Sequence, residues 1–148
     1  MDKKFMKRAL ELARVAALNG EVPVGAVIVK DGKIISEGKN QREQKQSALS
    51  HAEIEAIAGA NEVLGSWRLD GCEIYVTLEP CPMCAGAILN SRISEVIFGA
   101  FDKDAGFVDS VTNVFSLVKG NKTKIFCGIC EEECEQILQD FFKAVRDK

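Results

Sequence analysis

The chain has 148 residues, of which 47% are hydrophobic and 28% are charged, which is ordinary for a globular protein and favours one domain over residues 1–148. The net charge of −3 excludes a global positive field that would attract nucleic acid, so contact with a polyanion requires a local patch. The apolar runs are too short to span a bilayer, and the N-terminal segment indicates an amphipathic helix rather than a signal peptide. We therefore expect a cytoplasmic protein without a membrane segment, in which the six cysteines are reduced, buried or metal-bound.

The hydrophobic periodicity and the turn residues predict alternating helices and strands. A first helix opens after Asp2, a good N-cap residue, and ends at Asn19-Gly20. Two strand-like runs are joined by Asp31-Gly32, a strong hairpin signal. Stretch 101–121 has a weak pattern, with a turn or two of helix near its end. The other predicted segments are strands 22–30 and 33–40, a polar loop 41–50, a helix over 51–65, a strand over 72–78, a helix over 80–92, strands 93–100 and 123–128, and a last helix that opens with Glu131.

The alternation of these elements favours an α/β fold with a central mixed sheet and helices on its faces. The hairpin gives an antiparallel pair of strands. The later strands are joined through helices, which favours parallel pairs. No internal repeat or low-complexity segment is visible in the sequence.

Three residues from two distant segments indicate a metal site. Cys81 and Cys84, in PCPMC, are spaced so that the first turn of a helix places both thiolates on one face. Two thiolates do not complete a zinc site, and His51, the only histidine, also stands at the start of a predicted helix. Three protein ligands are typical of a catalytic zinc, which keeps its fourth position for water.

Glu53 follows His51 by two residues and need not be a ligand, so it is placed to move a proton between the activated water and a leaving group. The pattern H-x-E … P-C-x-x-C is the signature of zinc deaminases that act on nucleobases. A simpler interpretation makes Ser50 and Glu53 a capping box at the start of an ordinary helix. The spacing, the proline and the strand-then-helix context together favour the catalytic site, which Ser50 would help to hold in place.

The other cysteines leave two alternatives open. Cys72 would close the zinc site as a fourth protein ligand, but the strand that it begins should hold it away from Cys81. A second C-x-x-C, formed by Cys127 and Cys130 and followed by Cys134, would suit a second metal. No second histidine is available, and free cysteine packs well as a small hydrophobic residue, so core packing is favoured for this group.

The sequence resembles the bacterial tRNA-specific adenosine deaminase family, in the cytidine deaminase-like superfamily. The segments EVPVGAVIV, GKN, HAEIEA, IYVTLEPCPMCAGAILNSRI, VIFGA and LQDFF carry the resemblance over nearly the whole chain. It implies a three-layer α/β/α sandwich with a central five-stranded mixed sheet, and a homodimer. It also implies conversion of wobble adenosine in a tRNA anticodon stem-loop to inosine, with one zinc ion held by His51, Cys81 and Cys84 and with Glu53 as the proton shuttle.

The resemblance also implies the residues that meet the flipped base. Asn40 would hydrogen-bond the base, Val24 would line the pocket, and the backbone of Ala52 would meet the base edge. Simpler roles remain open for two of them, because Asn40 suits a turn at the end of a strand and Val24 suits the core.

The C-terminal helix is implied as a second contact with RNA, through Phe141, Phe142 and Arg146. The simpler interpretation is that both phenylalanines lie on a wide apolar stripe, for which core packing is the default. The charged residues of a last helical turn are also commonly just solvated.

Three positions depart from the family pattern: Asp109-Ser110 replaces a Gly-Ser pair, Asn121-Lys122 replaces Asn-His, and Ser50 stands where alanine is common. They leave the zinc motif intact but keep a second substrate class open, a free base or nucleoside such as guanine, cytosine or cytidine. A third class is a non-catalytic zinc or RNA-binding module. Glu53 argues against that class, because a purely structural site needs no base.

Overall fold

The computed structural model describes residues 1–147, which form five strands and six helices, in the predicted order apart from one additional short helix. No helix in this range is both long and apolar enough to cross a lipid bilayer. The elements are α1 (Lys3–Leu18), β1 (Gly25–Lys30), β2 (Lys33–Lys39), α2 (Arg42–Lys45), α3 (Ala52–Leu64), β3 (Cys72–Leu78), α4 (Pro82–Ser91), β4 (Glu95–Ala100), α5 (Val114–Leu117), β5 (Lys124–Cys127) and α6 (Glu131–Arg146).

The five strands form one mixed sheet in the order β2-β1-β3-β4-β5. Strand β1 pairs antiparallel with β2 and β3, whereas β3 with β4 and β4 with β5 are parallel. The β1–β2 turn is Asp31-Gly32, whose φ values of 50° and 75° are typical of the tight turns that match the twist of a hairpin. The predicted hairpin and the predicted parallel pairs are confirmed.

Each face of the sheet carries a layer of helices over an apolar core, which confirms the three-layer α/β/α architecture. On one face, α3 and α4 cover a core that includes Ile74, Val76 and Phe98. On the other face, α1 and α6 cover a core that includes Tyr75 and Ile97. The division follows from the two-residue period of a strand, which sends successive side chains to opposite faces.

Two glycines allow helices to approach the β1–β2 hairpin closely. An added Cβ at Gly25 would overlap the carbonyl oxygen of Ala9 in α1, and one at Gly38 would overlap the carbonyl oxygen of Ala52 in α3. The two strands are neighbours, with Gly38 opposite Ala26. The hairpin is therefore in main-chain contact with a helix on each face, and the contact at Ala52 positions the first turn of α3.

Helix α3 begins at Ala52 with His51 as its N-cap residue, and no side chain caps it. The simpler interpretation of Ser50 and Glu53 as a capping box is therefore wrong. Ser50 lies one residue too early, and it is buried with its amide donating to the Ser47 carbonyl at 3.2 Å. Glu53 is buried at the wall of a pocket, because its side chain turns into the fold rather than back along the chain.

The predicted loop 41–50 contains the short helix α2, and the cause of this difference is tertiary. Glu21 is 1% exposed, and its carboxylate accepts hydrogen bonds from the Glu43 and Gln44 amides at 3.0 and 2.7 Å. These amides belong to the first turn of α2, where backbone N–H groups lack intrahelical partners. A carboxylate from a distant segment thus stabilises a helix that its own sequence does not signal.

Helix α6 is less buried than its apolar stripe predicts. Cys134 is buried in the core and Ile137 packs against it, but Phe142 is 51% exposed and Val145 is 53% exposed. Helix α6 packs on β4, whose six residues span about 20 Å, whereas the 16 residues of α6 extend about 24 Å. Core packing of Phe142 is therefore wrong, because the helix continues beyond the strand that it covers.

Candidate active site

His51, Cys81 and Cys84 come together at one point, as the sequence predicts. The Nδ1 atom of His51 lies 3.7 Å from the Cys81 sulfur and 3.6 Å from the Cys84 sulfur. Tetrahedral zinc, with bonds of about 2.3 Å to sulfur and about 2.05 Å to nitrogen, puts such atoms about 3.6 Å apart. The donor atoms and their spacing fit a metal ion, so this group is able to hold one.

The starts of two helices position these side chains. His51 is the N-cap residue of α3 and Cys81 is the N-cap residue of α4, and both have an extended backbone. Pro82 occupies the first position of α4, where its fixed φ suits a helix and the N–H that it lacks would have no partner. Cys84 is three residues after Cys81, so it lies on the same side of the first turn. The positive ends of two helices therefore favour the thiolate form of the sulfurs.

Hydrogen bonds make the two thiols unequal. The Cys84 thiol and the His51 ring donate to the Cys81 sulfur, which lowers the pKa of Cys81 to about 4. The pKa of Cys84 is raised, because the Cys81 thiolate holds its proton and because the side chain is buried. The hydrogen bond with Cys81 also raises the pKa of His51. A bound cation would take the place of these protons, as metal binding by thiols requires.

The Glu53 carboxyl lies beside the three donor residues and is 4% exposed. Burial is the main cause that raises the pKa of Glu53 to about 7. A carboxyl with this pKa is accessible in both its protonated and its ionised form near neutral pH, which is what a general acid and base requires. Glu53 therefore has the location and the acidity that a proton shuttle needs.

A cavity of about 240 Å³ opens beside His51 and Cys81 at the end of β3. The three residues assigned to the substrate, Val24, Asn40 and Ala52, all line it, and so does Glu53. The structure thus brings the predicted substrate residues into one pocket with His51, Glu53 and Cys81. The other lining residues are Val22, Arg42, Leu78, Glu79, Asp102 and Ala105.

Asn40 is fixed between two segments of main chain. Its side-chain amide donates to the Val22 carbonyl, and its side-chain oxygen accepts from the Arg42 amide, both at 3.2 Å. The residue therefore ties the end of β2 to the segment before β1, as a turn residue would, and it also borders the pocket. An amide side chain has two N–H donors and two lone pairs, so half of the capacity of Asn40 remains for a ligand.

Phe141, Phe142 and Arg146 do not line the pocket. They lie in the last turns of α6, where the two phenylalanine rings contact edge to face with their centres 5.5 Å apart. Phe141 is half-buried, whereas Phe142 and Arg146 are exposed. The end of α6 therefore presents an aromatic and cationic surface that is separate from the metal-binding group.

Glu79, which the sequence analysis did not single out, organises one wall of the pocket. It is 2% exposed and lines the cavity together with Asp102. Burial opposes its ionisation, but the hydrogen bonds that it accepts from Ser110 and other donors outweigh burial and lower the pKa of Glu79. The donors are the amides of Asp102, Val108, Asp109 and Ser110, at 3.0, 3.3, 2.7 and 2.8 Å, and the Ser110 hydroxyl, at 2.5 Å.

The sequence offers little sign of this role. Glu79 stands between a strand and Pro80, and the nearest of its partners along the chain is 23 residues away. The family-like segment TLEPC includes it, but nothing local tells which way its side chain turns. Residues 102 and 108–110, which donate hydrogen bonds to this carboxylate, lie in the 101–121 stretch, where the sequence pattern is weak.

The remaining cysteines form no further metal cluster. Within residues 1–147, His51, Cys81 and Cys84 are the one group of three or more side chains that could hold a metal ion. All six cysteines are free thiols. Cys72 is buried at the start of β3 and does not belong to the His51 group, as the strand length predicts, and Cys134 is buried as predicted. Core packing is wrong for Cys127, which is exposed, because it ends the edge strand β5.

The fold, the His/Cys/Cys group and the buried glutamate beside it define a deaminase. The family model for MafB19-like deaminases matches residues 1–146. The tRNA-specific adenosine deaminase of Bacillus subtilis (strain 168) is 45% identical over 148 residues, which cover 99% of this chain and 92% of the relative.

Solved structures agree with this class. One from a study of A-to-I editing by tRNA:A34 deaminases at the wobble position of transfer RNA has a TM-score of 0.88 and 41% identity, over 93% of this chain and all of that one. A guanine deaminase from Bacillus subtilis has 42% identity but a TM-score of 0.67, over 79% of this chain and 75% of that one. The chain belongs to the family of tRNA-specific adenosine deaminases, among the MafB19-like deaminases.

Proposed function

We propose that the protein converts adenosine at the wobble position of a tRNA anticodon stem-loop to inosine and ammonia, and that residues 1–148 act as one zinc-dependent deaminase domain. One observation carries the proposal. Buried Glu53 lies beside a His/Cys/Cys group whose nitrogen and sulfur atoms are 3.6–3.7 Å apart, at the wall of a pocket of about 240 Å³. The adenosine deaminase names of the full-length relatives support adenosine as the base.

Zinc, one ion per chain, best suits the donor set of two thiolates and one imidazole. His51, Cys81 and Cys84 would hold the ion, and three protein ligands leave a fourth position, which is typical of catalytic rather than structural sites. When bound, the ion supplies Lewis-acid activation of water for attack on an electron-poor ring carbon.

Glu53 moves the protons of the reaction. Water adds its oxygen to C6 of the adenine ring, and the carboxylate of Glu53 accepts the proton that the water loses. Glu53 then donates this proton to N1 of the ring. It next carries the proton of the new C6 hydroxyl to the exocyclic N6, which leaves as ammonia while C6 becomes a carbonyl carbon. Adenosine and water thus give inosine and ammonia. The burial that raises the pKa of Glu53 to about 7 allows one carboxyl to accept and to donate.

The rest of the pocket suits a single flat base. Its volume of about 240 Å³ lies below the roughly 300–1,000 Å³ of drug-sized sites, so a flipped base fits better than a whole nucleotide. The remaining N–H of Asn40 donates to the base, Val24 packs against it, and the main chain of Ala52 meets its edge. These roles come from the family resemblance, and the shared lining of one pocket supports them.

The exposed end of α6 is proposed to contact RNA outside the pocket. Phe142, which is 51% exposed, offers a ring on which an unstacked base can lie, and Arg146 offers a charge for phosphate. We further propose a homodimer, as the resemblance implies, and a cytoplasmic location. Sedimentation at several protein concentrations tests the dimer, and a monomer throughout would overturn it.

The second candidate function is deamination of a free base or nucleoside, which the 42% identity to a guanine deaminase favours. The test is ammonia release and product identity with zinc-loaded protein. The substrates are an anticodon stem-loop with wobble adenosine, the same stem-loop with wobble cytidine, and free adenosine, cytidine, cytosine and guanine. Inosine formed only in the first stem-loop supports the RNA editor. Turnover on small molecules alone would overturn it.

A further inference from the structure

A groove of about 810 Å³ lies at the opposite end of α4 from the metal-binding group. It passes Gly86 and Leu89 on the outer side of the helix and reaches the starts of β4 and β5. Gly86 lies five residues after Cys81, about 7.5 Å along the helix axis, and the groove extends from there past the end of α4. We call it the basic groove, because its wall includes Arg68, Arg92, Lys119, Lys122 and Lys124.

The charge of the basic groove is opposite in sign to that of the whole protein. The chain carries −3, whereas the groove wall has five basic residues and two acidic ones, Asp70 and Glu95. Asp70 is already paired with Arg68 through two hydrogen bonds, at 2.7 and 3.2 Å. The three lysines are exposed, and none of them forms an ion pair with another residue of the described 1–147 range. Their ammonium groups are available to an outside anion.

An exposed aromatic ring stands beside the basic groove. Trp67 is 58% exposed, and the guanidinium groups of Arg68 and Arg92 lie 5.3 and 5.7 Å from its ring centre. Asn61 holds the main chain here by donating to the Ser66 and Trp67 carbonyls. Basic side chains beside an aromatic surface are the combination with which proteins hold a nucleic-acid backbone and its bases.

We propose that the basic groove binds the sugar-phosphate backbone of the RNA whose base enters the active site, an inference that rests on the proposed function. The groove has more than three times the volume of the pocket, and its cations are spread along it, which suits a chain of phosphates better than one small anion.

A second copy of this chain is a poor occupant, because a two-fold contact would set the groove against itself with like charges facing. The length of α4 corresponds to about four or five phosphate spacings on a helical strand, so one RNA reaches both sites.

The test is RNA binding by the variant Lys119→Gln/Lys122→Gln/Lys124→Gln. Its zinc content and its kcat at saturating stem-loop should equal those of the unmodified protein, because the lysines are remote from the pocket. Its Kd for the RNA should rise about tenfold at low salt. The slope of log Kd against log salt concentration should fall by about 0.7–0.9 for each lysine that neutralises a phosphate.

The matched control is Lys3→Gln/Lys4→Gln/Arg14→Gln, which removes the same charge from exposed positions of α1 on the other face of the sheet. It should leave the Kd and the salt slope almost unchanged. An unchanged Kd in the groove variant, or an equal loss in both variants, would overturn the proposal. So would a groove variant that changed only the sedimentation of the protein. Failure of the proposed function is a separate result, in which the unmodified protein forms no inosine in RNA at any salt concentration.

Discussion

Ser110 donates two hydrogen bonds to the carboxylate of Glu79, from its amide at 2.8 Å and from its hydroxyl at 2.5 Å. The pair joins the end of β3, which leads into the proposed metal ligand Cys81, to the loop that carries Asp102 and Ala105 into the pocket wall. A buried carboxylate is well suited to this junction. It accepts hydrogen bonds from several main-chain N–H groups at once, and in its ionised form it has no donor that would need an acceptor of its own.

The variant Glu79→Gln should disturb that loop while it preserves size. The glutamine amide would point a donor at amides that already donate, which leaves buried groups unpaired at a cost of about 1–3 kcal/mol in the free energy of unfolding. We expect KM for the stem-loop to rise more than kcat falls, with zinc content retained. Denaturant unfolding, steady-state kinetics and metal analysis measure these effects.

Ser110→Ala provides the control for Glu79, because it removes the hydroxyl and keeps the amide. Its loss of stability should be smaller, about 1 kcal/mol. If Glu79→Gln instead loses zinc, the Glu79 carboxylate acts by positioning Cys81. The expectation that it acts mainly on the loop, and so on KM, would then be wrong.

Glu53→Gln should fold and bind zinc but lose turnover by about 10²–10⁴-fold, because an amide cannot accept and return the proton. The control is Glu55→Gln on the same helix. Glu55 lies on the outer side, where it pairs with Lys45 at 2.9 Å, and a surface pair of this kind contributes about 1 kcal/mol or less. Turnover by Glu53→Gln equal to that of the control would show that Glu53 has no chemical role.

Loss of one metal ligand should remove the ion and weaken the fold. We expect Cys84→Ser to fall from one zinc per chain to nearly none and to melt at a lower temperature, since an ion at a hundredfold excess over its Kd adds about 2.7 kcal/mol. Cys127→Ser, at an exposed thiol, should keep one zinc and an unchanged Tm. Elemental analysis measures the zinc content of the two variants, and thermal unfolding measures their Tm. A full zinc content in Cys84→Ser would contradict the assigned ligands.

Two glycine variants should change stability in opposite directions. Gly38→Ala places a Cβ against the Ala52 carbonyl, so we expect a loss of about 1–3 kcal/mol and lower turnover, because α3 carries His51 and Glu53. At Gly86 in α4 an added Cβ meets nothing within 4 Å. Gly86→Ala should therefore stabilise the helix by about 0.5–1 kcal/mol. Urea denaturation compares the two variants, and equal effects would argue against the close approach at Gly38.

The parts of the site that could be predicted from the sequence depend on local signals. Cys81 and Cys84 share one helical turn, and Pro82 marks the start of that turn, so their common orientation follows from spacing alone. His51 is predictable as the third ligand because it begins a helix and is the only histidine. The hairpin at Asp31-Gly32 is predictable because few residue pairs adopt its backbone angles.

The parts that could not be predicted depend on contacts between distant segments. Glu21 and Glu79 are buried carboxylates whose donors lie at least 22 residues away, and neither the helix α2 nor the loop before α5 signals its partner. The exposure of Phe142 has a different cause. The apolar stripe of α6 is real, but only the length of the sheet beneath it decides how much of the stripe is covered.

The two walls of the pocket differ in how freely they can change. Val24 and Asn40 lie at the open end of the β1–β2 hairpin, and the main chain of a helix contacts that hairpin on each face of the sheet. The opposite wall is a loop whose shape depends on hydrogen bonds to one carboxylate, and Asp109, at the point where this chain leaves the family pattern, belongs to it. Relatives that act on different bases are therefore expected to diverge on the loop side and to keep the hairpin side alike. Architecture limits one half of the pocket, and selection for substrate is free to alter the other.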